Sequence, residues 1–455
     1  MTSSMPTPRR LLPLCLAFAL TASALAPLAT AQTLARPGWV GSGMNIDLWW
    51  KHAVVYQVNP ADFSPTGGSP LHGVTQRLDY IQSLGVDAVL LTPIQPDPTH
   101  AQAINPALGT LDDLDDLIHE ASRRNLRVLL DLDPQIPTAD LPNVARFWLN
   151  RGIAGFHVAG SSDAAHAQAA ELRKATSSYL GQRILIGDVD PTLPSDPRQR
   201  TWKAPDPQSP QLTLDPRPGT ADKLIASAIR PAIDTLQDVF QSGHTLPLLA
   251  TDGPAFKRSM SRYADGQHDV AIAKVLAAIL FTSHADSLLY YGQELGVPAS
   301  TSDATTPLIT WDAPPPPAKG KPAPPPPASD APPNVALQDA DPSSLLNWYR
   351  RLSELHHGNA TIANGQTITL NHDDQNVLVW VRKPETVSPI TPVLVVICNL
   401  SAQPVQLSLK AELTRLHFRG SFLRTVLRSD NGMGTMHLES MTIAPYTAYI
   451  GQLRY

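Results

Sequence analysis

Short apolar segments alternate with amphipathic helical segments from residue 53 onward, and this alternation constrains the fold more than any other feature. After the first apolar segment, AVVYQV, the residues Val74, Leu78 and Ile81 recur at the spacing of one helix face. Strands of this kind, each followed by a helical segment, are predicted at 53–58, 88–91, 127–132, 155–159, 184–189, 211–214, 246–251 and 287–291. Such an ordered series of strand–helix steps predicts an α/β fold, the (β/α)8 TIM barrel, whose active-site loops follow the strands.

The pattern changes near residue 361. TITL, NVLVWVRK, TPVLVVICNL, VQLSLK and TAYIGQL are strand-like and are separated by turn residues, without a helical period. They predict a C-terminal antiparallel β-sandwich. The predicted organisation is a signal peptide at 1–31, an N-terminal extension at 32–48, the barrel at 49–360 with a proline-rich loop at 313–333, and the sandwich at 361–455.

The N-terminal residues have the composition of a secretory signal peptide. Arg9 and Arg10 precede an apolar run at 11–28, and small residues at 29 and 31 form a cleavage site. A membrane anchor is the alternative, but two prolines interrupt the run and no second basic flank follows it. We therefore expect a periplasmic or secreted protein that has no membrane span after signal cleavage.

Charge and cysteine content exclude several functional classes. The net charge of −5 gives no reason to expect a nucleic acid partner. Two cysteines cannot form a disulfide framework or a four-thiolate zinc site, and Cys398 is predicted to be a buried strand thiol. Of the 45 prolines, 11 fall in residues 313–333, which predicts an extended loop after the eighth strand.

Six segments of the chain carry a family resemblance. They are WWKHAVVYQVNPADF (49–63), HGVTQRLDYIQSLGVDAVLLTPI (72–94), ARFWLNRGIAGFHV (145–158), LLYYGQELGVP (288–298), TTPLITWD (305–312) and NVALQDADPSSLLNWYRRL (334–352). In this order they resemble the α-amylase superfamily, glycoside hydrolase family 13, especially its α-glucosidase, oligo-1,6-glucosidase and trehalose-synthase-like members. The resemblance covers about residues 49–455. It implies a barrel with a small lid domain inserted after the third strand, a terminal β-sandwich, and retaining hydrolysis of α-glycosides.

Retaining hydrolysis uses two carboxyl groups about 5 Å apart, one as nucleophile and one as acid/base. At the end of the fourth strand, the arginine and nucleophile positions of the family hold His157 and Ala159. The acid/base position after the fifth strand holds Asp188, and Asp252, preceded by Thr251, stands at the position of the transition-state stabiliser. The resemblance thus implies a catalytically degenerate member, because alanine has no atom that can attack.

Other family positions also differ. Gln135 and Ile136 replace an asparagine–histidine pair, and His100 falls near the position that grips the non-reducing sugar, which makes it a substrate-binding candidate. The calcium-type loop is replaced by SPTGGSP, so no cofactor or metal is expected. The segment 134–143 is too short to hold the inserted lid domain, so we expect that domain to be reduced or absent.

The remaining candidate residues each have a structural alternative. His157 is a candidate substrate-binding group, base or metal ligand, but a single histidine within a strand is commonly a satisfied core group. Tyr56 and Trp311 are candidates for stacking on sugar rings, although both match scaffold positions of the family. Thr251 stands where the family has a histidine that contacts sugar hydroxyls. Asp163 could substitute for the nucleophile, or it could cap a helix that begins in SSDAAHA.

Two functional hypotheses follow. The first is a non-catalytic scaffold that binds an α-glucan, an oligosaccharide or an unknown protein partner, as in the amylase-like heavy subunits of amino-acid transporters. The second is an α-glucan or α-glucoside hydrolase of altered, inverting mechanism that uses Asp188, Asp252 and a water molecule. The second hypothesis requires the two carboxyl groups to face each other across an open polar pocket.

Overall fold

The computed structural model of the chain describes residues 1, 48–63, 68–188, 209–217, 220–242, 245–298, 308–312 and 332–455, with the backbone alone at 237–242. The predicted signal peptide, the N-terminal extension and the proline-rich loop lie almost wholly outside these residues. Among the helices of the described residues, none is long and apolar enough to cross a membrane.

The predicted barrel is confirmed. Its parallel strands pair in chain order, and the eighth strand pairs with the first and closes the barrel. The strands are β1 (Val54–Val58), β2 (Ala88–Leu91), β3 (Arg127–Leu132), β4 (Gly155–Val158), β5 (Ile184–Asp188), β6 (Leu212–Asp215), β7 (Leu246–Ala250) and β8 (Asp286–Tyr290). Every predicted strand overlaps an observed strand.

Helices connect the strands and continue beyond the barrel. Within the described residues they are α1 (Pro70–Gln76), α2 (Leu78–Ser83), α3 (Leu111–Arg123), α4 (Leu141–Arg151), α5 (Asp163–Ser177), α6 (Ala226–Ser242), α7 (Ser259–Tyr263), α8 (Asp269–Thr282), α9 (Val335–Ala340), α10 (Leu345–Gly358), α11 (Ala360–Asn364) and α12 (Lys410–Arg415). The first helical segment is therefore two helices, separated at Arg77, where φ is −103° and ψ is 8°.

The barrel strands are apolar on both faces, which explains their continuous hydrophobic sequences. On β1, Val55 belongs to the cluster that fills the lumen, whereas Val54 and Tyr56 belong to the cluster between the barrel and the helices. Each such buried side chain contributes roughly 1.5–3 kcal/mol of transfer free energy. On β5, Ile186 lies in the lumen cluster, so the alternation of a strand directs Asp188, two residues later, to the same side.

The C-terminal residues form the predicted antiparallel β-sandwich. Its strands are β9 (Gln366–Leu370), β10 (Val377–Lys383), β11 (Leu394–Asn399), β12 (Val405–Leu407), β13 (Phe422–Arg428), β14 (Thr435–His437), β15 (Met441–Ile443) and β16 (Ala448–Arg454). One sheet has the order β14-β13-β16-β11-β10-β9, and β12 pairs with β15 in a second sheet. Both sheets contribute to one apolar cluster, which includes Val379, Ile397 and Ile443.

No domain is inserted between β3 and α4. Residues 133–140 make up the whole connection, and all of them are described. The helix begins after Asp140 and has Pro142 in its first turn, where the missing N–H of a proline leaves no hydrogen bond unmade. The inserted lid domain of the family, which we expected to be reduced or absent, is absent at this position.

Candidate functional site

Three polar side chains meet inside the barrel towards the carboxyl ends of β3, β4 and β5. His157 is 4 % exposed, and its Nδ1 lies 3.0 Å from Asp131 Oδ1 while its Nε2 lies 3.0 Å from Asp188 Oδ1. Strand pairing places Asp131 directly beside His157, and Asp188 is the last residue of the next strand. The imidazole therefore connects two carboxylates across three adjacent strands. Asp131, His157 and Asp188 are called the mouth triad below.

The mouth triad keeps its histidine protonated at neutral pH. Burial by itself would lower the pKa of His157, but the charges and hydrogen bonds of Asp131 and Asp188 outweigh it and raise this pKa to about 10. Burial would raise the pKa of Asp188, but the hydrogen bond and charge of His157 and the amide of Gly160 lower it instead. His157 is therefore a cation, and Asp188 is an anion.

Both carboxylate oxygens of Asp188 are occupied. Oδ1 faces His157, and Oδ2 accepts a hydrogen bond from the backbone N–H of Gly160 at 2.6 Å. Ala159 lies between β4 and this amide and brings only a methyl group to the site. Asp163, the substitute considered for the nucleophile, is the first residue of α5, and the capping oxygen there belongs to the preceding serine. Asp188 is therefore fixed in an ion pair with His157, although its own side chain is 27 % exposed.

The acidic residue that follows β7 is buried and only partly satisfied. Asp252 is 1 % exposed, and its Oδ1 accepts a hydrogen bond from the backbone N–H of Ser259 at 2.6 Å. Its Oδ2 has no hydrogen-bond partner among the described residues. The adjacent Thr251 is also buried, and its Oγ1 accepts from Gln293 Nε2 at 2.7 Å. Both predicted residues therefore lie at the end of β7, where local hydrogen bonds hold them.

Tyr56 does not face the lumen, and the prediction that it binds substrate was wrong. Its side chain is fully buried on the helix side of β1, and its Oη donates to Glu294 Oε1 at 2.8 Å. Tyr80 donates to the same oxygen at 2.6 Å. A ring enclosed in this way has no face available for a sugar. The scaffold alternative describes Tyr56 correctly.

Two further candidates, one basic and one aromatic, contact residues outside the mouth triad. His100 follows β2 in a short 3₁₀ turn, with its side chain 68 % exposed and its Nδ1 2.9 Å from Asp97 Oδ2. Trp311 is partly buried, and the guanidinium carbon of Arg77 lies 4.1 Å from the centre of its ring. The structure therefore brings His100 into contact with a neighbouring carboxylate, and it places Trp311 in the scaffold.

Asp131 is the member of the mouth triad that the sequence analysis missed. It stands in the otherwise apolar segment RVLLDL and is 6 % exposed. A carboxylate within a buried strand needs a cationic or hydrogen-bonding partner, and that requirement is the signal that could have revealed it. The partner is a histidine. The described residues contain no group of three or more His, Cys, Asp or Glu side chains that could hold a metal ion.

Comparison with known proteins finds a match over the first three strands of the barrel. The family model for the alpha amylase catalytic domain matches residues 55–135. Trehalose-6-phosphate hydrolase of Escherichia coli (strain K12) is 43 % identical over 95 residues, which are 18 % of this chain and 17 % of that protein. This part of the chain is therefore similar to the alpha amylase catalytic domain.

A different relative matches a larger part of the chain. An amino acid transporter heavy chain of Oryctolagus cuniculus is 26 % identical over 365 residues, which are 74 % of this chain and 64 % of that protein. The chain thus spans less than two thirds of the length of these relatives. Solved trehalose-6-phosphate hydrolase of Bacillus licheniformis superposes with a TM-score of 0.72 at 18 % identity, covering 90 % of this chain and 100 % of that one. At that identity, the superposition establishes the shared fold.

Proposed function

We propose that this α-amylase-family relative is an exported, non-catalytic scaffold that binds a carbohydrate or a protein partner. The observation that carries the proposal is the state of Asp188, which His157 and the Gly160 amide hold as an anion. A retaining glycosidase needs a protonated carboxylic acid at the acid/base position when its substrate binds. The pKa of that acid is normally raised by its surroundings, whereas here it is lowered.

The same contacts oppose any proton transfer by Asp188. Protonation would remove its ion pair with His157, which lies in a buried setting where a broken pair is strongly unfavourable. The proposal is also supported by Ala159, which stands at the position that the resemblance assigns to the nucleophile and cannot form a covalent bond to an anomeric carbon. Retaining hydrolysis would therefore lack both its nucleophile and its acid/base.

An activity assay tests the proposal. Purified full chain is incubated with maltose, isomaltose, trehalose and an aryl α-glucoside, beside Asp188→Asn and, as a matched control, Asp163→Asn at the start of α5. We expect no turnover above the buffer rate in any of the three proteins. Turnover that Asp188→Asn abolishes and Asp163→Asn retains would overturn the proposal.

Two findings support different ligands for the scaffold. A relative that matches 74 % of the chain is named a transporter heavy chain, which favours assembly with a protein. Glucosidase relatives, such as glucan 1,6-alpha-glucosidase of Streptococcus pneumoniae, 40 % identical over 95 residues, favour a carbohydrate. Calorimetric titration with maltooligosaccharides decides between them: saturable heat supports the carbohydrate, and its lack supports the protein partner. We expect neither outcome to depend on calcium.

Asp252 gives the hydrolase hypothesis its one specific observation. Its Oδ2 is buried and has no hydrogen-bond partner among the described residues, so one carboxylate oxygen at the end of β7 is unsatisfied there. An inverting mechanism would use it with Asp188 and a water molecule, at a carboxyl separation of about 6.5–9.5 Å. Product whose anomeric configuration is inverted, and whose formation stops in Asp252→Asn, would establish this alternative.

Export is supported by the composition of the N-terminal residues. We propose cleavage after Ala31, with a mature protein in the periplasm or the medium. N-terminal sequencing of the protein recovered from those fractions is expected to begin at Gln32. Recovery of the intact chain from the membrane fraction would favour the anchor instead.

A further inference from the structure

An open cleft of about 550 Å³ lies between α10 and the hairpin of β13 and β14. Its lining comprises Arg351 of α10 together with residues 424–428 and 431–435 of the hairpin. A bulge between Thr425 and Leu427 interrupts the pairing of β13 with β16 along this lining. Because none of these residues belongs to the mouth triad, the cleft is a separate feature of the molecule.

Three guanidinium groups line this cleft. They belong to Arg351, Arg424 and Arg428, and none of the described lining residues is acidic. Arg428 is paired with Asp430, whose two oxygens accept from its Nε at 2.8 Å and its Nη2 at 2.6 Å. After this pairing, two positive charges remain at the cleft of a chain whose net charge is −5. A local excess of one sign in a concave site favours an anionic ligand.

Arg351 is poorly compensated within the fold. Its Nη2 is buried and has no hydrogen-bond partner among the described residues, and its Nε donates to Asn347 O at a long 3.4 Å. The guanidinium lies 5.2 Å from the centre of the Trp348 ring, which orients the side chain. Burial lowers the pKa of Arg351. A charged group in this state gains from an added acceptor.

Apolar side chains border the same cleft. Val426 is 39 % exposed and Met433 is 91 % exposed, and both are among the large apolar residues that the described surface leaves in solvent. Methionine adapts its shape to different apolar groups more readily than branched side chains do. The cleft therefore combines a cationic wall with an apolar border, which suits a ligand that carries both kinds of group.

We propose that this cleft binds a small organic anion, a phosphate or carboxylate attached to an apolar body. Arg351 and Arg424 contact the anion, because the planar guanidinium fork matches the oxygens of both anions. Val426 and Met433 contact the apolar body. This site does not depend on whether the barrel is catalytically active, and it goes beyond the proposed scaffold function.

Calorimetric titration of the full chain tests the site with defined probes. Phenyl phosphate and benzoate represent the two anions, and benzyl alcohol is the neutral control. We expect saturable binding of at least one anion and none of benzyl alcohol. Arg351→Gln and Arg424→Gln should each weaken that binding about tenfold, because each loses a charge-assisted hydrogen bond. Arg419→Gln, at an exposed arginine of the same domain, should leave it unchanged.

Comparison of the two anions and one further variant identifies the ligand class and tests the apolar border. Tighter binding of phenyl phosphate identifies the ligand as a phosphate, and tighter binding of benzoate identifies a carboxylate. Met433→Ser should weaken binding of the aromatic probe but not of inorganic phosphate. Lack of binding by both anions, equal binding of benzyl alcohol, or unchanged affinity in Arg424→Gln would overturn the proposal. Arg424 is exposed, so the fold does not depend on it.

Discussion

Buried histidines at the two ends of the barrel behave in opposite ways. His157, towards the carboxyl ends of the strands, lies between two carboxylates that raise its pKa to about 10. His52 and His284, which precede β1 and β8, are buried at the other end, and burial lowers their pKa values to about 4 and about 2. Burial on α10 likewise lowers the pKa of His356 to about 3. The last three are called the amino-end histidines.

The comparison shows that burial does not by itself decide the charge of a histidine. At the amino end, His52 Nε2 meets the amide oxygen of Asn364, and His356 Nδ1 meets a backbone carbonyl, so these rings have neutral partners. The buried Arg382 is a further cause that lowers the pKa of His52 and His284. His157 instead faces two carboxylates at 3.0 Å each. The charge of the partner therefore reverses the effect of the same burial.

Substitution of His157 should have the largest effect. His157→Gln leaves Asp131 and Asp188 close together without their cation, and breaking a buried pair in this way lowers the free energy of unfolding by about 3–5 kcal/mol. Urea unfolding at pH 7 measures the loss, with His100→Gln at an exposed histidine as the control, which should change it by less than about 0.5 kcal/mol. A loss below about 1 kcal/mol for His157→Gln would show that the pair is not stabilising.

The pH dependence of stability should reflect the histidines at both ends of the barrel. The amino-end histidines have folded pKa values below the usual 6.5, so their stabilising contribution is complete above that pH and is lost as the pH falls. His157 has a folded pKa above 6.5, so its contribution is complete below that pH and is lost as the pH rises towards 10. Each group contributes at most about 1.4 kcal/mol per pH unit. The maximum is expected near pH 6.5, with the steeper fall on the acid side.

Chemical unfolding from pH 4.5 to 9.5 measures this curve. On the acid side, His284→Phe should reduce the slope of unfolding free energy against pH by the equivalent of about one bound proton. The alkaline side should not change. A curve that is flat between pH 5 and 6.5 would contradict the neutral state of the amino-end histidines. In His157→Gln, the fall of stability on the alkaline side of the curve should disappear, which tests that side independently.

The two carboxylates of the mouth triad should contribute unequally to the free energy of unfolding. Asp131→Asn is expected to lower the unfolding free energy by about 2–3 kcal/mol, and Asp188→Asn by about 1–2 kcal/mol, because the Asp131 side chain is 9 % exposed and that of Asp188 is 27 % exposed. Both should lower the pKa of His157, and NMR titration of its ring measures this directly. The fall of that pKa should be larger in Asp131→Asn, and a larger fall in Asp188→Asn would contradict the stronger effect expected of the more buried carboxylate.

A helix cap beside the mouth triad should have the smallest effect. Ser162→Ala removes the Oγ that accepts from Ala165 N at 3.2 Å at the start of α5, and it should cost about 1 kcal/mol of stability. Because this hydrogen bond is made to the first turn of α5, the pKa of His157 should stay near 10. A shifted pKa in Ser162→Ala would mean that the state of His157 depends on general packing at this end of the barrel.

The positions of the barrel strands were largely predictable, because their signals are local. The segment Arg127–Leu132 was predicted with both ends correct, and its residues form β3. The strand at β13 was not predicted, since FLRTVLR mixes exposed and partly buried residues and carries a bulge. The separation of α1 from α2 at Arg77 likewise has no signal in the hydrophobic period.

The candidate site was predictable only as a set of positions along the chain. Asp188, His157 and Asp252 lie at the ends of strands, where the sequence put them, but Asp131 was missed and Tyr56 was counted among the substrate-binding candidates. Both errors have one cause. In a strand with two apolar faces, the sequence does not reveal which residues face the lumen, and closure of the barrel decides it.

The amino-acid sequence by itself determined the order of elements, the barrel and the terminal sandwich, because hydrophobic periods and turn residues act over short distances along the chain. Only the tertiary structure decided which side chains meet. Strand register sets Asp131 and Asp188 on either side of His157, and the packing of α10 and α11 gives His356 and His52 neutral partners. A buried charge depends on its neighbours within a few ångströms, and those neighbours come from residues far apart in sequence.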